Sequence, residues 1–163
     1  MIKMDDKKGT IEVDGFVISA NTKIKDFMNM KEKVEFNKYK DKTTITFKEL
    51  QEHNGVMGEV TCIFQARSPM RVKISTRFTS VSGEIYSKKY ARNSMLLARR
   101  WLDGLTSYTD EDFDKKMNLR FGEYGIIDCL YYYCIRYDLY SFDDICIEMW
   151  KKQPEGIEYN ITR

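Results

Sequence analysis

The chain has 163 residues, 42% hydrophobic, 32% charged and 13% aromatic, with two prolines; that length suits one domain with its own core, and the aromatic content excludes disorder as the main state. The 27 Lys and Arg against 25 Asp and Glu leave a formal charge of +2, too near neutral to argue for nucleic acid. That balance is a cancellation, because residues 67–100 carry nine basic side chains against one acidic, whereas residues 101–163 carry seven against 13.

In chain order, residues 1–8 are polar and read as a loose tail. Thr10 to Ser19 follow, with Asp14-Gly15 between short β-branched runs, a hairpin signal because Gly takes the positive φ of a type I′ turn. Asn21 and Thr22 offer caps for a short helix ending near Met30, with Ile24, Phe27 and Met28 on one face. From Val34 to Phe78 the period is two. Val34 and Phe36, then Thr44 to Phe47, then Val60, Cys62 and Phe64 each read as strand, and Val72, Ile74 and Phe78 alternate with Arg71, Lys73 and Arg77. Asn54-Gly55 and Ser68-Pro69 punctuate them as turns. The expectation is an antiparallel sheet with one apolar and one charged face.

A main helix is predicted from Ser87 to Asp103, with Ala91, Ser94, Met95, Ala98, Trp101 and Leu102 on one face and Gly104 as terminator. Thr109 and Asp112 form a capping box for a second helix carrying Phe113 and Met117. The run from Tyr124 to Cys134 is compatible with a buried helix, but its β-branched and aromatic residues favour a strand, as they do for Asp144 to Trp150. The two make a closing hairpin connected through residues 136–143. The whole is a single α+β domain over residues 1–163: an antiparallel sheet of hairpins with one main helix packed on it and one or two shorter helices.

No run approaches the apolar length needed to span a membrane, and the first residues lack the apolar stretch of a secretory signal, so a soluble cytoplasmic protein is expected. Cys62, Cys129, Cys134 and Cys146 include no Cys-x-x-Cys pair and are read as reduced, mostly buried thiols. His53, the only histidine, is placed on an exposed turn beside Asn54-Gly55. There is no Gly-x-Ser-x-Gly elbow, no phosphate-binding glycine loop and no metal-ligand spacing, so no catalytic residue, metal or cofactor is assigned. The acidic runs at residues 110–114 and 143–144 are explained by capping and the helix dipole.

Two features suggest a recognition surface instead. Tyr131, Tyr132, Tyr133, Tyr137 and Tyr140 cluster near Trp150, and on one strand Tyr132 takes the face opposite Tyr131 and Tyr133, so at least one ring reaches a surface suited to protein contact. Arg92, Arg99 and Arg100 belong to the basic middle, which also includes Arg67, Arg71 and Lys73 and could hold phosphates or an acidic protein.

Gly15 to Phe27 read Gly-Phe-x-Ile-Ser and then Asn-Thr-x-Ile-x-Asp-Phe, Arg99 to Leu102 read Arg-Arg-Trp-Leu, and Tyr-Gly-x-Ile at Tyr124 precedes Asp-x-Cys-Ile at Asp144. In this pattern the chain resembles small bacterial proteins akin to the immunity proteins of polymorphic toxin systems. The resemblance implies a non-enzymatic protein-binding protein whose partner is a toxin domain. A nucleic-acid-binding module built on residues 67–100 is the alternative.

Overall fold

The computed structural model describes residues 1–76, 96–115, 119–129, 132–134, 139–141 and 145–152. The architecture is α+β, with antiparallel sheets and a few short helices. Strands β1 (Ile2–Asp5), β2 (Thr10–Val13) and β3 (Phe16–Ile18) form a three-stranded meander. Val13 pairs with Phe16, and Asp14 and Gly15 both take positive φ, 50° and 86°, as the tight turn requires.

The expected loose tail is corrected here. Ile2 and Met4 alternate with Lys3 and Asp5, a pattern that lets β1 pair with β2 from Ile2↔Val13 to Asp5↔Thr10 and bury Ile2. Asp6 is also buried, its carboxylate accepting hydrogen bonds from the Ser107 backbone N–H at 3.0 Å and from the Ser107 hydroxyl.

Residues Ile24–Met30 form a 3-10 helix in which Phe27 is buried while Ile24 and Met28 are exposed. Met30, one three-residue turn on from Phe27, packs against the core with it, so the expected Ile24, Phe27 and Met28 face is not the one that packs. The cap shifts as well: Lys23 is the N-cap, and its backbone N–H donates to Asp26 at 2.7 Å.

The main sheet contains β4 (Val34–Tyr39), β5 (Lys42–Phe47), β6 (Gln51–His53), β7 (Val56–Gln65), β8 (Met70–Ser75), β9 (Leu119–Phe121), β10 (Gly125–Asp128) and β13 (Ile145–Met149). Its order is β4-β5-β7-β8-β13-β10-β9, with β6 on the first part of β7. Register places Phe36, Ile45, Cys62, Val72, Ile147, Ile127 and Leu119 in one row across seven strands, buried from Ile45 onward. The neighbouring row, on the other face, runs Asn37, Thr44, Ile63, Arg71, Glu148, Ile126 and Arg120. The apolar and charged faces expected from the period of two are therefore present, although Arg77 and Phe78 lie outside the described residues. Phe16, Phe27, Phe47 and Phe64 fasten the meander and the 3-10 helix to the main sheet, with ring centroids 4.6 to 6.4 Å apart.

Of the predicted main helix, residues 87–95 lie outside the described residues, and residues 96–102 form α1. Ala98, Trp101 and Leu102 are buried, and Gly104 follows at φ 81°. Helix α2 (Asp110–Lys115) has the expected capping box: the Thr109 N–H donates to Asp112 at 2.8 Å, and the Asp112 N–H donates to the Thr109 hydroxyl at 3.3 Å. Thr109→Ala should lower stability by about 1 kcal/mol in urea titration, whereas Thr109→Ser should cost little.

The closing hairpin is divided. β10 pairs with β13 as expected, but the ladder ends at Asp128↔Cys146, and Tyr132 to Cys134 are not its continuation. They form β11 (Tyr132–Cys134), which among the described residues pairs with β12 (Leu139–Ser141) in a separate two-stranded sheet. Cys129, the residue after β10, is buried. β9 is a further strand, too short at three residues to show a periodicity.

Candidate functional site

Of the sequence-derived candidates, Tyr132, Tyr133, Tyr140, Arg99 and Arg100 lie among the described residues. Tyr133 lies opposite Tyr140 across β11 and β12, and Tyr132 lies opposite Ser141; Tyr131, Tyr137 and Arg92 fall outside the described residues. Arg99 is buried, its guanidinium 2.6 Å from the Asp114 carboxylate, so it ties α1 to α2 and does not present a charge to solvent. Arg100 is exposed, but its Nε donates to the Asn54 carbonyl at 3.1 Å. Asn54 returns two bonds, from Nδ2 to the Arg100 and Asp103 carbonyls at 2.8 and 2.9 Å, satisfying the end of α1.

His53 is likewise corrected from an exposed turn to a half-buried position. Its Nδ1 lies 2.5 Å from the Trp101 carbonyl, and because a carbonyl only accepts, Nδ1 carries the proton. The ring stands edge-on to Trp101. Of the cysteines, Cys62 and Cys129 are buried and Cys146 is half-buried; burial pushes the Cys62 thiol far above its ordinary range. Among the described residues, no group of three or more His, Cys, Asp or Glu side chains is placed to hold a metal ion. No helix among them is long and apolar enough to cross a membrane.

Of the basic middle, Arg67, Arg71, Lys73, Arg99 and Arg100 are among the described residues, and Arg71 and Lys73 lie on β8 opposite Ile63 and Thr61 of β7. Arg100 sits against the Asn54-Gly55 turn before β7, and Arg67 follows its far end. A ten-residue strand rising about 3.3 Å per residue puts about 30 Å between them.

At the Arg67 end a groove of 710 Å³ opens between the 3-10 helix, the β4–β5 turn, the β7–β8 turn and the segment after β13. Its apolar lining comes chiefly from Phe64, Met70, Met149 and Trp150, and its cations are Lys23, Lys25, Arg67, Lys151 and Lys152. All five are exposed. Side-chain ion pairs among the described residues include Lys3–Glu12, Lys8–Asp5 and Arg99–Asp114, and none of the five groove cations is in one. Asp41 is the one carboxylate in the lining, and it accepts from Gln65 at 3.4 Å. Arg67 holds φ at 63°, in the turn closed by the Ser68 N–H on the Gln65 carbonyl at 3.2 Å. A smaller hollow of 210 Å³ shares Ala20, Met149, Trp150 and Lys151 with the groove and extends it toward the β9–β10 turn.

Arg67 and Trp150 stand out in the sequence, whereas Lys23, Lys25, Lys151 and Lys152 do not. The available signal was the Lys-Lys pair directly after Met-Trp; Lys23 and Lys25 carry none, because alternating lysines near a helix start are ordinary solvated charges.

On the charged face of the main sheet, Glu148 lies opposite Arg71 and near Asp128. Burial raises the Glu148 carboxyl above its ordinary value; Arg71 opposes the rise and Asp128 adds to it. The folded state thus binds this proton more tightly than the unfolded state, so the group's contribution to stability is full below 4.5 and is lost as pH rises through the folded value. Urea midpoints from below 4.5 to neutrality should show the wild type losing ground to Glu148→Gln as pH rises. A pH-independent difference between the two would contradict this assignment.

Compared with protein-family models, curated proteins and solved structures, the chain matches none, so a functional reading rests on the groove and on the residues themselves.

Proposed function

We propose that this chain is a non-enzymatic, cytoplasmic protein-binding protein, an inhibitor of the immunity type whose partner is a toxin domain. The observation that carries this reading is the groove: unpaired cations around an apolar floor, mounted on the end of a packed sheet. Such a surface combines the two elements of protein recognition, apolar area for affinity and unpaired charge for orientation. The likeness in Gly15 to Phe27 and in Arg99 to Leu102 to immunity proteins supports the same class. The nucleic-acid alternative draws less support, since Arg99 is buried in an ion pair with Asp114 and Arg100 donates to the Asn54 carbonyl.

The test is expression of the protein encoded by the adjacent gene, alone and together with this chain. A stoichiometric complex on gel filtration, with relief of growth inhibition, is the expected result. Absence of a complex, together with turnover of a small molecule by the purified chain, would overturn the reading.

A further inference from the structure

The chemistry of the groove specifies what it accepts. Resting on the protein-binding reading above, we propose that the groove takes an extended acidic segment of the partner protein, with carboxylates spaced on either side of apolar side chains.

Charge complementarity is the first ground. Five cations against one carboxylate, none of the five in an ion pair, leave a positive rim that an anionic segment neutralises. The cations come from three separate stretches, Lys23 and Lys25 before and in the 3-10 helix, Arg67 in the β7–β8 turn, and Lys151 and Lys152 after β13. Charges spread over three walls suit carboxylates spaced along a chain. A single phosphate is better held by converging backbone N–H groups, usually with glycine allowing close approach, and no glycine lines the groove.

The floor supplies the second ground. Met70, Met149, Phe64 and Trp150 give an apolar base in which two thioethers adapt to the shape of an incoming side chain. Polyanions without apolar groups leave that floor uncovered.

Shape is the third ground. The adjoining hollow continues the depression past Trp150, with Lys8 and Glu123 both on its wall, so the concave surface is longer than the main groove. Extended peptide fills such a trough better than a compact small molecule does.

The experiment is selection of a displayed random-peptide library on the immobilised full chain, followed by affinity measurement of the enriched peptides on wild type, Lys151→Glu/Lys152→Glu and Arg67→Gly. Enriched peptides should carry Asp or Glu flanking apolar or aromatic residues, and should bind the double charge reversal about tenfold more weakly. Arg67→Gly should weaken binding without lowering the melting temperature, because glycine is at ease at the positive φ that Arg67 occupies. Enrichment of neutral or basic peptides, equal binding to the charge-reversed variant, or preference for a single-stranded oligonucleotide of matched charge would each overturn the proposal. The complex with the adjacent gene product separates the two readings. If it forms equally with wild type and with the charge-reversed variant, the groove proposal fails and the inhibitor reading stands. If acidic peptides need the groove but no complex forms, the inhibitor reading fails and the groove proposal stands.

Discussion

Trp101→Ala should lower stability by about 3–5 kcal/mol, the range for removing a large aromatic side chain from a packed core. Trp101 is fully buried, and its ring lies so close to β7 that a Cβ placed on Gly58 would come within 2.9 Å of it. Its Nε1 donates to the Gln51 carbonyl at 2.9 Å, so truncation also leaves a buried acceptor on β6 without this donor. Trp101→Phe should cost less, because much of the ring volume is kept and the hydrogen bond is the principal loss. Urea unfolding followed by circular dichroism, with the remaining Trp150 as fluorescence reporter, distinguishes the two. A loss for Trp101→Ala within about 1 kcal/mol would mean that α1 is not the element sealing this side of the sheet.

Gly122→Ala should be nearly as damaging, at about 2–5 kcal/mol, for two additive reasons. Gly122 has φ 72°, where a Cβ costs about 1–2 kcal/mol. That Cβ would also lie 2.8 Å from the Gly9 Cα and 3.1 Å from its nitrogen, and these backbone atoms move only if the turns separate, at about 1–3 kcal/mol. Separation would also strain the bond from the Gly122 N–H to the Asp6 carbonyl at 2.7 Å, which joins the β9–β10 turn to the β1–β2 turn. Gly104→Ala is the control: φ is 81°, but nothing lies within 4 Å of the added Cβ, so only the conformational cost remains. Thermal melts of the two variants side by side measure the contact as the difference. Equal losses would show that the two turns do not meet closely.

Much of the fold was legible because its signals are short-range. Asp14-Gly15 and Asn54-Gly55 make their turns through residues that accept positive φ, and Thr109 finds Asp112 three residues on. Ile24 to Met30 misled because helical type is invisible in the pattern: Phe27 packs under either periodicity, and only the observed three-residue turn shows which neighbours join it. The tyrosine strand misled for another reason. Tyr124 to Cys134 looks continuous because its residues favour extended backbone throughout, and nothing local marks Cys129 as the point where one sheet is left before β11 begins.

The candidate site was less legible than the fold. Arg99 and Arg100 look like free charges on a helix, yet Asp114 and the Asn54 carbonyl, each distant in sequence, engage them. The groove cations gain their meaning only by convergence: Met70 lies opposite Met149 in register, which carries Trp150, Lys151 and Lys152 to the β7–β8 turn and Arg67. By itself the sequence determined an antiparallel α+β domain, its main turns, the alternating faces of its central strands and the caps of its second helix, since each depends on backbone sterics or hydrogen bonds within a few residues. Tertiary structure decided the strand order around β13, the engagement of Arg99 and Arg100 by distant partners and the gathering of five lysines and arginines around an apolar floor. Those outcomes depend on which distant apolar faces are buried together, and burial has no local signature.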